Sequence, residues 1–182
     1  MSEIELSAFD LEAEKLRLRP LQEGDEALLH GLYPDPGTMR FIGPPLSAEQ
    51  SAPRFLNIVT RQRKLTLKGR LLVILDKATA ASRGHLWYIA VRCRYASTGV
   101  GMGLKPGARA QRGRGSAFTA LVKRIFVVSL VNEVWARVPA ENLTAKQLVV
   151  NIEFASCADA VREDWVAKNI SLFNSSIIVV CN

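Results

Sequence analysis

One short segment of the chain gathers residue types that bind anions. It runs from Leu104 to Ala117 and reads LKPGARAQRGRGSA, with three glycines and three arginines close together. Glycines let the backbone turn tightly and approach a ligand with no Cβ in the way. A helix that begins there would present free N–H groups and the positive end of its dipole. The segment therefore predicts a seat for a pyrophosphate group, with these candidate ligands: Arg109, Arg112, Gly113, Arg114, Gly115, Ser116 and Ala117.

The alternative interpretation of this segment is a solvent-exposed basic turn, since turns of this composition are common on protein surfaces. Two other phosphate-binding loops do not fit. A Rossmann fingerprint needs a third glycine where Phe118 stands, and the only acidic residue about 20 positions later is Glu133, which opens a predicted strand. The GxxxxGK[S/T] pattern of a P-loop does not occur in the sequence.

Predicted strands and helices alternate around this segment. Ser47 and Gln50 match a capping box, which predicts a helix that continues to about Lys64. Apolar residues repeat with helical spacing over 115–130. The order of elements predicts one α/β domain with a mixed sheet over residues 1–182. Its other elements are a helical turn at 25–30, a helix at 142–151, and strands at 16–19, 70–75, 85–92, 98–104, 133–138 and 176–181.

The composition is that of an ordinary globular protein. The chain has 182 residues, of which 48% are apolar and 23% charged, and this excludes a disordered or fibrous protein. No apolar run approaches the roughly 18–20 residues that span a bilayer, so we expect no membrane partner. The acidic N-terminal segment differs from a secretory signal, which predicts a cytoplasmic location. Cys93, Cys157 and Cys181 are too widely spaced for a disulfide framework or a cysteine-based zinc site, and no metal is expected.

Positive charge is concentrated in the middle of the chain. The sequence has 24 Lys and Arg residues against 17 Asp and Glu residues, a net charge of +7. Residues 77–132 contain ten of the cations and no acid, so this block is +10 and the rest sums to 7 − 10 = −3. A basic block in a slightly acidic chain indicates a local polyanion site. Aromatic residues do not alternate with the arginines of 105–124, so we expect no nucleic-acid partner.

Four stretches of the sequence resemble the GNAT superfamily of N-acetyltransferases. The run from Arg112 to Ala117 fits R/Q-x-x-G-x-G/A, the signature of the loop that holds the coenzyme A pyrophosphate in that family. Residues 11–20 (LEAEKLRLRP) resemble the opening of its ribosomal-protein acetyltransferase branch, the RimJ/RimL-like proteins. Residues 35–43 and 138–154 resemble later segments of the same branch. The order and spacing of these stretches agree with that branch from residue 11 to residue 155.

This resemblance implies the GNAT fold and acetyl-CoA as the cofactor. The fold is α/β (α+β), with a central twisted sheet that is mixed but mostly antiparallel and has about six to seven strands flanked by about four helices. The pantetheine arm would lie where the strands at 98–104 and 133–138 splay apart, along Met102, Gly103 and Leu104. Lys123 or Arg109 would reach the 3′-phosphate.

The resemblance also gives Asn142 a role. This residue matches the family asparagine that contacts the coenzyme near its thiol. Asn is a favoured helix N-cap as well, so a structural role is the alternative, and one residue can serve both.

The activity that the resemblance implies is direct attack of a primary amine on the thioester, with the amine on a protein N-terminus or a small molecule. It does not identify the catalytic residues. Relatives often carry a glutamate base at the position of Gly99, and the weak candidates that remain are Glu133 and Asn142. The alternative is a degenerate member that binds CoA without efficient turnover and acts as a binding or regulatory module.

A few other residues bear on the acceptor and on assembly. Core and rim packing is the favoured interpretation for the aromatic candidates of the acceptor pocket, which are Tyr33, Phe41, Trp87 and Tyr88. For His85, a lone histidine among strand residues, packing is again favoured. The apolar C-terminal segment could pack in the sheet or at an interface, so a homodimer is the assembly we consider.

Overall fold

The chain forms one eight-stranded sheet in the computed structural model, which describes residues 5–62, 69–90, 97–109, 111–129, 131, 133–152, 154–157 and 175–181. The strands are β1 (Leu11–Glu12), β2 (Leu16–Pro20), β3 (Gly69–Asp76), β4 (Ser82–Ala90), β5 (Ser97–Leu104), β6 (Glu133–Pro139), β7 (Ala155–Cys157) and β8 (Ser175–Cys181). Their order across the sheet is β1-β2-β3-β4-β5-β6-β8-β7. Neighbouring strands are antiparallel except β5 and β6, which run parallel.

Five α-helices accompany the sheet in the described part of the chain. They are α1 (Glu26–Leu32), α2 (Pro36–Met39), α3 (Ala48–Gln62), α4 (Arg114–Val128) and α5 (Leu143–Asn151). Within these described ranges, no helix combines the length and the apolar character needed to cross a membrane.

The fold class predicted from the sequence is confirmed, with two differences in the number of elements. The described residues contain eight strands and five helices, because β1, β7 and α2 have only two, three and four residues and are too short to produce a periodic pattern. The capping box forms as predicted: Gln50 N–H donates to Ser47 Oγ at 3.2 Å, and Ser47 N–H donates to Gln50 Oε1 at 3.0 Å. The predicted ends of this helix at Lys64 and of one strand at Arg92 lie outside the described residues.

Successive side chains of a strand point to opposite faces of the sheet, and this divides the core into two clusters. On one face of the sheet, Leu121 and Ile125 of α4 pack in the same cluster as Leu72 of β3, and we name this side the α4 face. On the other side, Phe55 of α3 packs in the same cluster as Val73, and we name it the α3 face. The buried apolar residues of β3 therefore alternate between the two clusters, Leu72 and Ile74 in one and Leu71 and Val73 in the other.

The two parallel strands stay paired over only four positions. The register runs from Ser97 opposite Glu133 to Val100 opposite Ala136. Beyond that point β5 continues its pairing with β4 as far as Leu104, and β6 continues with β8 as far as Pro139. A wedge, which we name the strand gap, therefore opens between residues 101–104 of β5 and residues 137–139 of β6. This is the separation that the family resemblance implies.

Candidate functional site

The start of α4 depends on a glycine in a left-handed conformation. Gly113 has φ = 99° and ψ = −14°, a region that residues with a Cβ rarely adopt. Its carbonyl accepts hydrogen bonds from Ala117 N–H at 3.0 Å and from the Ser116 hydroxyl at 2.8 Å. A Cβ at this position would also lie 3.3 Å from Leu16 Cδ1. The sharp turn into the helix is thus specific to glycine.

The first turn of α4 presents unpaired backbone amides. The first N–H groups of a helix have no carbonyl partner within it, and no side chain in the described part of the chain caps them here. The first turn also contains no acidic residue. The amides of Arg114, Gly115 and Ser116, together with the helix dipole, therefore create a positive end suited to an anion.

An open groove of about 480 Å³ lies against this helix end. One wall is formed by Arg112, Gly115 and Ser116, and the other by α5 residues such as Gln147 and Asn151. Gly115 faces the end of α5 across this groove, where a Cβ would lie at an ordinary van der Waals distance of 3.6 Å from Ile152 Cγ2. The structure brings together the predicted ligands at positions 112–116 on this groove.

Arg109 and Arg114 make contacts inside the protein. Arg114 Nη1 donates to the backbone carbonyl of Arg109 at 2.5 Å, which closes the loop before α4. Arg109 Nη2 donates to Asp35 Oδ2 at 2.5 Å and lies 2.7 Å from Thr38 Oγ1. A phosphate contact by Arg109 stays a prediction, because in this structure its guanidinium braces α2.

Asp35 is held in its charged form by this arrangement. Its Oδ2 accepts from both the hydroxyl and the N–H of Thr38 at 2.6 Å. These hydrogen bonds from Thr38, and the nearby Arg109 guanidinium, lower the pKa of the Asp35 carboxyl from its ordinary value. The absence of a side chain at Gly37 leaves room for the Arg109 guanidinium, since a Cβ there would lie 2.8 Å from Arg109 Nη1.

The end of β5 connects the strand gap to the anion-binding loop. Leu104, Arg112 and Arg114 line one small pocket beneath that loop. The predicted pantetheine-binding residues, Met102 to Leu104, border the strand gap. The gap, the loop and the amides of α4 thus follow one another along the chain and in space.

Asn142 caps α5. Its Oδ1 accepts from Ala145 N–H at 3.1 Å, so the structural alternative for this residue is confirmed. A second role in contacting the cofactor stays a prediction.

Glu133 lies at the closed end of the parallel pair. It is only 8% exposed, stands opposite Ser97, and precedes the last paired residue, Ala136, by three positions. At about 3.3 Å per residue, this places it about 10 Å along the strand from the start of the gap. The structure does not bring this weak catalytic candidate to the gap.

Aromatic rings cover alternate glycines of β5, and sequence reasoning did not find this arrangement. A Cβ on Gly99 would lie 2.7 Å from the ring of Trp135, and one on Gly103 would lie 2.5 Å from the ring of His85. A Cβ on Gly101 would overlap the ring of Trp87. The signal was present in the alternation of glycines at 99, 101 and 103, but the rings become partners only once the register with β4 and β6 is known.

His85 is buried and neutral. It is 4% exposed, and its Nδ1 has no hydrogen-bond partner among the described residues. Burial lowers the pKa of its imidazole to about 4, because the charged form loses its hydration there. The predicted packing role is consistent with this position.

A comparison with protein-family models identifies the family. The model described as an acetyltransferase (GNAT) domain matches residues 15–155, well over half of the chain. The chain belongs to the GNAT acetyltransferase family. Members of this family are acyl-CoA N-acyltransferases, and acetyl-CoA is their cofactor. A search of curated proteins finds no significant sequence match.

Solved GNAT structures share the fold of this chain at low sequence identity. An acetyltransferase from Bacillus anthracis has a TM-score of 0.73 at 14% identity, covering 93% of this chain and 96% of that one. Spermidine N-acetyltransferase from Vibrio cholerae, in complex with CoA and spermine, has a TM-score of 0.73 at 17% identity, covering 92% and 95%. RimL, a ribosomal L7/L12 alpha-N-protein acetyltransferase in complex with CoA, has a TM-score of 0.73 at 13% identity, covering 92% and 94%. Because both kinds of enzyme occur among the similar structures, they do not single out the RimJ/RimL-like branch.

Proposed function

We propose that this GNAT protein transfers an acetyl group from acetyl-CoA to a primary amine, carried by a protein N-terminus or a small molecule. One observation carries the proposal: one short loop separates the strand whose pairing with β6 ends at Val100 from the uncapped first turn of α4. An anion seat and a gap in the sheet are thereby placed end to end, as a long cofactor with a diphosphate at its middle requires.

The groove beside α4 suits a diphosphate. Its α4 wall offers the backbone N–H groups of residues 114–116 and the exposed guanidinium of Arg112. All of these are hydrogen-bond donors, and the first turn of the helix adds no negative charge. We propose that this set binds the diphosphate, and that Gln147 and Asn151 on the opposite wall contact the adjoining part of the cofactor.

The strand gap suits an arm that contains amides. In the antiparallel ladder with β4, successive β5 residues direct their backbone groups alternately toward β4 and away from it. Past Val100, the groups directed away from β4 have no β6 partner in the register of the two strands. We propose that these groups, within residues 101–104, bind and align the pantetheine amides.

The chemistry needs a neutral amine and a route for its proton. Acetyl-CoA, when bound, supplies the acetyl group as a thioester. The amine nitrogen forms the new C–N bond as the C–S bond breaks, the nitrogen loses a proton, and the sulfur gains one. A backbone N–H of β5 at the gap would stabilise the negative charge that develops on the carbonyl oxygen. Residues 101–104 and 137–139, which border the gap, include no acid, so we propose that the proton leaves through water.

The similarities to known enzymes point to two kinds of acceptor. The resemblance to the RimJ/RimL-like branch and the similarity to RimL favour a protein N-terminus. The similarity to spermidine N-acetyltransferase favours a small amine. Both are primary amines, and the proposal covers both.

Two measurements test the proposed function. Calorimetry with acetyl-CoA should show binding at submillimolar concentration, and its absence would overturn the proposal. Release of free CoA thiol should then depend on an added amine, tested with peptides and small amines. Binding with no amine-dependent thiol release across that panel would support the alternative of a CoA-binding module instead.

A further inference from the structure

Side chains of α2 contact the anion-binding loop at two places. This loop runs between Leu104, the last residue of β5, and Arg114, the first residue of α4. At its start, the hydroxyl oxygen of Thr38 lies 3.3 Å from the carbonyl oxygen of Leu104. In its middle, Arg109 Nη2 donates to Thr38 Oγ1 at 2.7 Å and to Asp35 Oδ2 at 2.5 Å. The short helix α2 and its N-cap therefore hold both the exit from β5 and the middle of the loop.

The far end of the loop is held through the backbone of Arg109. Its carbonyl accepts a hydrogen bond from Arg114 Nη1 at 2.5 Å. The N–H of Arg114 belongs to the uncapped first turn of α4, which is the proposed diphosphate site. A chain of hydrogen bonds therefore leads from Asp35 through Arg109 to the helix end that would bind the anion.

Asp35 is the acceptor on which these contacts converge. Its Oδ2 accepts from the N–H and the hydroxyl of Thr38, each at 2.6 Å, as well as from Arg109. Because Asp35 is the N-cap of α2, its carboxylate is oriented by the backbone of that helix. A hydrogen bond between a guanidinium and a carboxylate is stronger than one between neutral groups. Asp35 therefore fixes the Arg109 side chain more firmly than an uncharged acceptor would.

The loop also packs against α1 and α2. Lys105, its first residue, lies beside α1, since a Cβ on Gly31 would be 4.0 Å from Lys105 Cε. The Arg109 guanidinium occupies the space that a side chain at Gly37 would fill. Both contacts place the loop on the segment that precedes α3, in agreement with the hydrogen bonds.

The residues of this network lie outside the groove that would hold the diphosphate. Among the described residues, those that line the groove belong to the end of the loop, α4 and the α5 region, and Asp35, Thr38 and Arg109 are not in that set. In this arrangement they act on an anion in the groove through the position of the loop.

The charge of Asp35 and its position predict opposite effects on cofactor affinity. Removal of one negative charge would by itself strengthen the attraction of the protein for a polyanion. Release of Arg109 from Asp35 would instead leave the loop free before binding, and its ordering on binding would then lower the affinity. The direction of the change in Kd therefore distinguishes an effect of charge from an effect of position.

We propose that Asp35 is a positioning residue for the cofactor: through Arg109 and Thr38 it holds the anion-binding loop in the conformation that receives the diphosphate. This inference rests on the proposed acetyltransferase function and adds to it a residue from outside the groove. Asp35 itself contacts neither the cofactor nor the amine in this assignment.

Calorimetry of the full chain with CoA tests the assignment. Asp35→Asn keeps the size of the side chain and an acceptor for the N–H of Thr38, but removes the charge. It should raise the Kd for CoA by about fivefold or more, against the direction that charge alone predicts. Asp25→Asn is the matched control, because Asp25 also pairs with an arginine, Arg19, and also accepts a backbone N–H, that of Gln22. An equal rise in Kd with this control would overturn the assignment.

A double-mutant cycle shows whether Asp35 acts through Arg109. In the background of Arg109→Met, Asp35→Asn should change the Kd for CoA by less than about twofold, because the contact that it removes is already absent. Arg109→Met should weaken the binding of CoA and of dephospho-CoA by the same factor. Weaker binding of CoA alone would indicate a direct contact with the 3′-phosphate and would overturn the positioning role of Arg109.

Hydrogen exchange measures the loop in the protein without cofactor. The N–H groups of Ala108, Arg109 and Gln111 make turn hydrogen bonds within the loop. Asp35→Asn should speed exchange in a peptide that covers residues 105–113, and Asp25→Asn should not. Exchange that is unchanged in the Asp35→Asn protein would show that this carboxylate does not hold the loop, and would overturn the inference.

Failure of the inference and failure of the function give different results. CoA binding that Asp35→Asn leaves unchanged or strengthens would overturn the positioning role and leave the acetyltransferase in place. CoA binding that Asp35→Asn weakens, without amine-dependent release of CoA thiol by the parent protein, would support the positioning role and overturn the proposed function. With turnover, the KM for acetyl-CoA should rise with the Kd while kcat stays within about twofold. The absence of CoA binding by the parent protein would overturn both.

Discussion

Arg109 donates a hydrogen bond to Asp35 across 74 positions of sequence and so joins the loop before α4 to the N-cap of α2. Thr38, on the same short helix, accepts from Arg109, and its hydroxyl oxygen also lies 3.3 Å from the carbonyl oxygen of Leu104 at the end of β5. The segment before α3 and the anion-binding loop are thus fixed to each other. An arginine that the sequence suggests as a phosphate ligand serves here as a brace between two segments.

The Asp35 brace should weaken in acid. The folded pKa of Asp35 is lowered from 3.8, so its charged form contributes stability above that value, and the contribution is lost as pH falls through the folded pKa. Asp35→Asn should therefore lower the Tm at pH 7, and the difference from the parent should shrink below about pH 4. Thermal unfolding from pH 7 to pH 3 measures this, and a difference that is constant with pH would contradict it.

His85 should make the fold sensitive to mild acid. Its folded pKa of about 4 lies below the ordinary 6.5, so between these values the unfolded chain binds a proton that the folded chain does not. Stability should fall as pH drops through this window, by up to about 3 kcal/mol from this one group. His85→Leu should remove that part of the slope in urea unfolding measured at pH 7, 6 and 5.

The matched control for this experiment is Val73→Ala, because Val73 is buried opposite His85 on β3 and has no titratable group. It should lower stability by a similar amount at all three pH values and leave the slope unchanged. A change of slope as large as that caused by His85→Leu would show that titration of His85 is not the cause.

Two substitutions at Gly115 that have nearly the same size but differ in charge test the proposed diphosphate site. A Cβ at Gly115 makes ordinary contacts of 3.6 and 3.7 Å with Ile152 and Leu148, so both Gly115→Asp and Gly115→Asn should fold. An acid in the first turn even favours the helix. Gly115→Asp should raise the Kd for CoA at least tenfold by repulsion of the diphosphate, and Gly115→Asn should raise it much less. Equal affinities of the two variants for CoA, measured by calorimetry, would show that the diphosphate does not bind at this helix end.

The turn into α4 should depend on Gly113. Gly113→Ala places a Cβ in a left-handed conformation and should cost about 1–2 kcal/mol in urea unfolding. Gly113→Asn should cost less, since Asn tolerates this region better. Gly107→Ala is the control, because a Cβ there meets nothing within 4 Å. A Gly113→Ala protein as stable as this control would contradict the assignment.

Local signals in the sequence predicted much of this structure, and long-range relationships account for the rest. The capping box at Ser47 and the helical repeat of α4 are encoded within a few residues, and both form. The brace between Arg109 and Asp35 depends on tertiary folding, which no local pattern reports. The rings of His85, Trp87 and Trp135 likewise reach the glycines of β5 only through the register of three strands, because Trp135 contacts Gly99 from a strand that follows it by more than 30 positions.

The parallel pairing of β5 with β6 has a consequence for how the fold is held together. Within the described residues, the backbone pairing between the antiparallel half of the sheet, β1 to β5, and the half formed by β6, β8 and β7 involves only four residue pairs. A pantetheine arm bonded along the gap, as proposed, would act as a short surrogate strand that extends this seam. The cofactor concentration would then affect the stability of the folded protein as well as its turnover. A cofactor concentration 100 times the Kd would add about 2.7 kcal/mol to the free energy of unfolding.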